Sequence, residues 1–296
     1  MRDRRRIPPI HHMLERAKQE VPLLGATPEE IRSLRGMAQA GVQTVGSRLD
    51  AVEGLCLFIG HPRSGHSLVG AMLDAHPDLC IAHELDLIAF LREGWTDREL
   101  FWACMENARR SASVGHRWGA YAYPVPGQWQ GRQRQLRIVG DKKGGQTSIA
   151  LRRNPALLDR LLDTFDVPIR WIHVVRNPWD NISTVQRKHR TDLQTSTAAF
   201  FAVAETVDQV VARVGRRAVH RLSQEELTAE PKRVLEELAA FLGVEPSPAW
   251  LEASAGLVWS KPSRARDRVQ WSPGLHTAIR KLAAHHDWLA HYRFDD

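Results

Sequence analysis

What this chain lacks narrows its reading first. It has only three cysteines, Cys56, Cys80 and Cys104, an odd count whose spacing suits neither a disulfide framework nor a zinc site. Buried free thiols are the expectation, with Cys56 inside an apolar strand pattern. No apolar run approaches the roughly 20 residues that a membrane helix needs. The basic opening Met-Arg-Asp-Arg-Arg-Arg is followed by no hydrophobic stretch, so neither a signal peptide nor an anchor is expected, and the chain reads as cytoplasmic with no membrane partner. Internal repeats and low-complexity tracts are missing, which excludes a repeat architecture. Acidic residues are the minority, 34 against 41 Lys and Arg, for a formal charge of +7. That favours anionic ligands only mildly, because mixed charges usually form a solvated surface. The pairs His11-His12 and His285-His286 have no cysteine or carboxylate cluster beside them, so no metal is expected.

What is present reads as α/β. At 296 residues the chain can bury a full core. Residues 1–50 are charged and read as a helical N-terminal decoration, with Thr27-Pro-Glu-Glu30 supplying a cap, a first-turn proline and acidic residues at the positive helix end. Residues 51–296 read as one domain. Leu55 to Ile59 is an apolar strand closed by Gly60, and Ser64-Gly65 opens a helix with Leu68, Met72 and Leu73 on its apolar face. A strand is expected near 79–82, helices near 85–91 and 97–109, a polar loop rich in aromatics over 111–135, and a strand at 136–140. One helix over 148–164, a strand at 169–175, helices near 179–188 and 195–214, a strand near 218–222 and a helix at 231–242 closed by Gly243 complete the pattern. Strand and helix alternate, which implies a three-layer fold with a central, mainly parallel sheet flanked by helices, similar to a P-loop protein.

The stretch Gly60-His-Pro-Arg-Ser-Gly-His-Ser67 has the outline of a phosphate loop with histidine where an ATP loop carries lysine. Backbone N–H groups at a helix start still suit a phosphate. His66, however, is short and mostly neutral near pH 7, which disfavours triphosphate chemistry. Arg63 inside the loop offers a planar fork of donors that binds an anion without metal. Glycine-rich turns between strand and helix also occur with no ligand. A second candidate anion site follows the apolar strand in Val175-Arg-Asn-Pro-Trp-Asp-Asn-Ile-Ser-Thr-Val-Gln-Arg-Lys188. Arg176 leaves the carboxyl end of a parallel strand, where ligands of open α/β sheets bind. The competing reading pairs Arg176 with Asp180 as an ordinary cap and salt bridge. Two anion sites on one sheet imply a ligand with two separated phosphates.

These residues resemble the sulfotransferases that use 3′-phosphoadenosine 5′-phosphosulfate (PAPS). Pro62-Arg-Ser-Gly-His-Ser-Leu-Val-Gly-Ala-Met-Leu-Asp-Ala-His-Pro-Asp78 is similar to the family's 5′-phosphosulfate loop, most of all in the tyrosylprotein sulfotransferases. Arg176 with Thr184 resembles the 3′-phosphate pair, Lys188 falls on a further basic position, and Glu225 to Pro231 with Phe241-Leu-Gly243 resembles a downstream signature. The resemblance covers roughly residues 52–245. It departs at His66-Ser67, where the family commonly has two threonines, and at Thr184, where it has serine, with Ser183 adjacent and either hydroxyl eligible.

The resemblance implies PAPS as sulfuryl donor, no metal, and cofactor-binding residues Arg63, Ser64, Gly65, His66, Ser67, Arg176, Ser183, Thr184, Lys188 and Ser263, the last in a C-terminal basic segment, Ser263 to Arg268, that would close over the nucleotide. A plain charged surface is the other reading of that segment. Sulfuryl transfer needs placement and charge stabilisation, as phosphoryl transfer does, and a base for the acceptor proton. Glu84 takes the family's base position, with His83 the runner-up. Arg63 and then Lys142, in Gly140-Asp-Lys-Lys-Gly144, are the cations for leaving-group charge. Lys143 is expected to point the other way into solvent. The acceptor is expected to be a hydroxyl of a small molecule, sugar or peptide, with Trp118, Tyr121, Tyr123 and Trp129 lining its site or pinning the loop. The alternative activity is a P-loop kinase or NTPase; a nucleic-acid partner is not expected, and the oligomeric state is open.

Overall fold

The computed structural model describes residues 26–118, 121–259 and 263–296, without the side chain of Trp118. Arg2 to Arg6, His11-His12 and the first half of the N-terminal decoration lie outside the described residues. In chain order the elements are α1 Pro28–Ser33, α2 Arg35–Leu49, β1 Gly54–Ile59, α3 His66–Asp74, β2 Leu79–Ala82, α4 Leu87–Arg92, α5 Asp97–Ser113, β3 Arg117–Trp118, β4 Tyr121–Ala122, β5 Ile138–Asp141, α6 Gly144–Arg153, α7 Ala156–Thr164, β6 Ile169–Val175, α8 Pro178–His189, α9 Leu193–Val214, β7 Val219–Ser223, α10 Gln224–Ala229, α11 Pro231–Leu242, α12 Pro248–Ala255 and α13 Pro273–Ala283.

Five strands form one sheet in the order β2-β5-β1-β6-β7, parallel throughout. Alternation along the strands splits the core in two. Leu55, Leu57, Ile59 and Trp171 face one apolar layer, which Ile31, Leu34, Ala38 and Leu49 of the first two helices join. Cys56, Phe58, Ile172 and Val174 face the other, against Leu73 and Leu238. Buried on both faces, the central strands read as continuous apolar runs, as parallel strands do. The α/β fold with a parallel sheet between helical layers is therefore as expected, and Cys56, Cys80 and Cys104 are free and buried. No helix among the described residues is long and apolar enough to cross a membrane.

Two boundaries differ from the sequence expectation. The helix expected over 148–164 is two helices, because Pro155 follows Asn154, whose extended backbone (φ −144°, ψ 89°) ends α6, as the residue before a proline tends to. Of the stretch 111–135, expected as a polar loop, residues up to Ser113 continue α5, and a short antiparallel hairpin, β3-β4, follows with turns fastened to the core. Gln130 Nε2 donates to the carbonyls of Ala71 and Tyr123, and the N–H of Gly131 donates to the buried Asp74.

Candidate active site

Every strand that bears on the site delivers its residue at the carboxyl end, where loop backbone is free to bind. After β1, Gly60 has φ +119° and Gly65 has φ +106°. These left-handed positions favour glycine and fold the loop back onto the start of α3. The N–H of Gly60 is fastened to Ser148 Oγ at 2.8 Å, and Asn181 Nδ2 ties Pro62 O at 2.9 Å to Ser64 Oγ at 3.1 Å. From Ser64 to Ser67 no backbone N–H has an acceptor among the described residues. Four donors at one helix start are what a phosphate or phosphosulfate needs.

The His66 ring does not stand in for lysine. It is turned under the loop, with Nε2 3.2 Å from Ile59 O and the ring so close to Gly144 that a Cβ there would meet it at 2.6 Å. Burial, and next the charge of Lys142, push its pKa down to about 3. His66 is thus a neutral packing piece whose side chain faces away from the ligand side; its backbone N–H remains with the loop. Arg63, at φ +70°, has no carboxylate partner among the described residues.

At the end of β2 the chain turns at Glu84, with φ +58°. Asp141 at the end of β5 holds this turn: its two carboxylate oxygens accept the N–H groups of Leu85 at 3.1 Å and Leu87 at 2.9 Å. Burial raises the pKa of Asp141 to about 6. Next to it Lys142, only 1 % exposed, places Nζ 2.8 Å from Glu84 Oε1 and 3.0 Å from Ser67 Oγ. Gly70 makes this possible, since a Cβ there would lie 2.6 Å from Lys142 Cγ. Burial lowers the Lys142 pKa, and Glu84 pulls it back up. Three predicted site residues thus meet on one ammonium.

Lys143 departs from expectation. β5 stops at Asp141, so strand alternation does not carry to Lys143, whose Nζ lies 3.6 Å from Glu84 Oε2. Both lysines converge on one carboxylate. His83 is buried and held neutral, its pKa pushed to about 2 by burial and then by Lys142, while its N–H donates to Asn107.

Arg176, at the end of β6, joins three segments of the chain. It donates to Arg63 O and Thr184 Oγ1, both at 3.2 Å, and to Ser263 O at 2.7 Å. The competing cap does not form: Asp180 is taken by Arg266, at 3.0 Å from its guanidinium and 2.9 Å from its N–H. Arg266 is 2 % exposed, so the C-terminal basic segment packs onto α8 and is more than a charged surface. Sequence reasoning missed both this pair and the turn-holding Asp141, although Asp141 stands beside Lys142 in the quoted motif. The two hydroxyls of α8 also separate. Each donates to the carbonyl four residues back, Ser183 to Trp179 O and Thr184 to Asp180 O, but Ser183 is fully buried, whereas Thr184 Oγ1 also accepts from Arg176. Lys188 is exposed, one turn beyond Thr184 on the same helix face.

Tyr123 is near enough to Arg63 for the guanidinium to offset part of the rise that burial gives its phenol. Tyr121, its ring nearly parallel to Tyr123, also lies 6.1 Å from Trp259. Trp129 stays at the base of the loop, donating its N–H to Ala75 O.

Residues 57–248 match a family model described as the sulfotransferase family. No curated protein matches the chain by sequence. Among solved structures, the chain is similar to the sulfotransferase domain from the curacin biosynthetic pathway, with a TM-score of 0.53 and 16% identity over 79% of this chain and 97% of that one; at that identity the likeness speaks for the fold. It is also similar to sulfotransferase STF9 from Mycobacterium avium, with a TM-score of 0.48 and 13% identity over 86% of this chain and 81% of that one. For mouse sulfotransferase SULT7A1 complexed with PAP the TM-score is 0.43 and the identity 12%, over 81% of this chain and 88% of that one.

Proposed function

We propose that this chain, which belongs to the sulfotransferase family, transfers the sulfuryl group of PAPS to an acceptor hydroxyl by in-line displacement, with Glu84 as base. The observation that carries the reading is Lys142, whose ammonium ties the phosphate-loop hydroxyl of Ser67 to the Glu84 carboxylate. Donor site and base are thereby within one hydrogen-bonded cluster.

The donor fits the residues present. Arg63 and the N–H groups of Ser64, Gly65, His66 and Ser67 would hold the 5′-phosphosulfate, and Arg176 and Thr184 the 3′-phosphate, with the Ser263 carbonyl bracing the Arg176 guanidinium and Lys188 at the rim. Ser183 takes no part, since its hydroxyl is fully buried and turned onto Trp179 O. In the transfer step the acceptor oxygen bonds to sulfur while the bond from sulfur to the 5′-phosphate oxygen breaks. Glu84 takes the acceptor's proton, and Lys142 and Arg63 neutralise charge growing on the departing oxygen, which contributes most because it is aimed where charge develops. His83, held neutral by burial, borders the base without replacing it.

A kinase or NTPase reading is disfavoured by the same loop, because the lysine position holds a histidine turned onto Ile59. The acceptor is proposed to be a hydroxyl on a small molecule, sugar or peptide, approached past Tyr121 and Tyr123. The test is transfer of labelled sulfate from PAPS across phenol, sugar and peptide acceptors in the presence of a chelator. Stoichiometric release of adenosine 3′,5′-bisphosphate with a labelled product supports the reading. Intact PAPS with every acceptor, together with magnesium-dependent ATP hydrolysis, contradicts it.

A further inference from the structure

Away from the phosphate loop, between the end of α9, the start of β7 and the segment after α13, lies a cavity of about 580 Å³, a size that suits small organic ligands. Val211, Ala212, Val219 and Trp288 supply apolar wall, and Arg216, Arg221, Asp208 and Asp287 supply charge. The charges are unequal in their commitments. Asp208 already accepts from His286 Nδ1 and Trp288 Nε1, and Asp287 is taken by Arg216 at 3.3 Å. Arg221 makes no ion pair within 4.0 Å among the described residues, although Asp208 and Asp287 attract it from a longer distance. Its Nε donates to His173 Nδ1 at 3.1 Å, its guanidinium lies 5.3 Å from the Trp288 ring centroid, and its two terminal nitrogens have no acceptor among the described residues.

We propose that this cavity is a second ligand site, for an organic anion with a single sulfate, sulfonate or carboxylate head on a flat apolar body. The head pairs with the two free guanidinium nitrogens of Arg221, the fork geometry that suits such oxyanions, and the body lies along Trp288 and the valine wall.

The site also has a physical route to the donor loop. Ile59, His173 and Arg221 sit in one row across β1, β6 and β7. Because a guanidinium only donates, His173 Nδ1 is the acceptor and its proton sits on Nε2. That face is pressed on Gly60, where a Cβ would stand 2.7 Å from His173 Cδ2. A ligand that draws on Arg221 therefore acts on a ring packed against the first residue of the phosphate loop.

The test uses the full chain saturated with adenosine 3′,5′-bisphosphate, so that the donor site is closed to the probe, and titrates anilinonaphthalene sulfonate by fluorescence. A single saturable site is expected. Arg221→Met keeps the stem and removes the fork, and should weaken the probe about tenfold or more, the size of a lost charged hydrogen bond. Ala212→Phe fills the cavity from an exposed position of α9 and should abolish binding. Bisphosphate affinity, measured on each variant, reports that the fold and the donor site are intact. No saturable binding to the wild-type chain, or unchanged probe affinity in both folded variants, overturns the proposal. Neither result bears on sulfuryl transfer, which the bisphosphate titration and the transfer assay read separately.

Discussion

Lys142 Nζ lies 2.8 Å from Glu84 Oε1 in a site where the lysine is 1 % exposed. A buried ammonium is costly unless a carboxylate accompanies it, so the pair fixes the carboxylate at the mouth of the loop. The pair also sets what each partner can be asked to do.

Glu84→Gln keeps the shape and a hydrogen-bond acceptor for Lys142 but removes proton acceptance. Turnover should fall about 100-fold or more, with bisphosphate affinity nearly unchanged. Single-turnover transfer beside calorimetry separates the two effects. If turnover stays within a few-fold while folded His83→Ala is inactive, the base is His83.

Arg176→Ala should weaken the bisphosphate by roughly 10- to 100-fold, the loss of one charged hydrogen bond of about 1.5–3 kcal/mol. Thr184→Ala should weaken it less, and Ser183→Ala should leave affinity unchanged, because Arg176 meets Thr184 while the Ser183 hydroxyl is buried away from it. Equal losses for the two hydroxyl variants would contradict this assignment.

Asp141→Asn retains one of the two acceptors for the N–H groups of Leu85 and Leu87. The Glu84 turn should loosen, so kcat should fall while bisphosphate affinity holds. A purely structural role would instead lower the melting temperature and leave kcat intact.

Acid should destabilise the fold through its buried histidines. In the native state His61, His66, His83 and His116 hold pKa values of about 4, 3, 2 and 4, each lowered first by burial from an ordinary 6.5. Between that value and roughly pH 4 the unfolded chain takes up protons that the native chain refuses, so this stability is present above pH 6.5 and is lost as pH falls. Asp74 and Asp141, raised by burial to about 7 and 6, act the other way in the same window but are outnumbered. Denaturant unfolding at pH 7 and pH 5 should show a drop, and His66→Asn should reduce its slope by about one proton, about 1.4 kcal/mol per pH unit.

Much of this was legible in the sequence because it is local. The turn from Gly60 to Ser67, the strand ends and the helix closed by Gly243 follow from short-range pattern, and Ile169–Val175 and Pro231–Leu242 fall where periodicity places them. What was not legible depends on contacts between distant segments. Asp141 holds a turn 54 to 56 positions away, and Arg266 takes Asp180 from Arg176 across 86 positions. Lys143 was misplaced because strand alternation was carried two residues past Asp141, where β5 ends. Ser183 and Thr184 were indistinguishable until the rotation of α8 buried one and turned the other to Arg176.

The most direct measurement of the central claim is calorimetric titration of the chain with adenosine 3′,5′-bisphosphate in the presence of a chelator. The loop donors and Arg176 predict saturable one-to-one binding without metal, tightened by no addition of magnesium. No measurable binding of the bisphosphate, beside magnesium-dependent binding of ATP, would contradict the account.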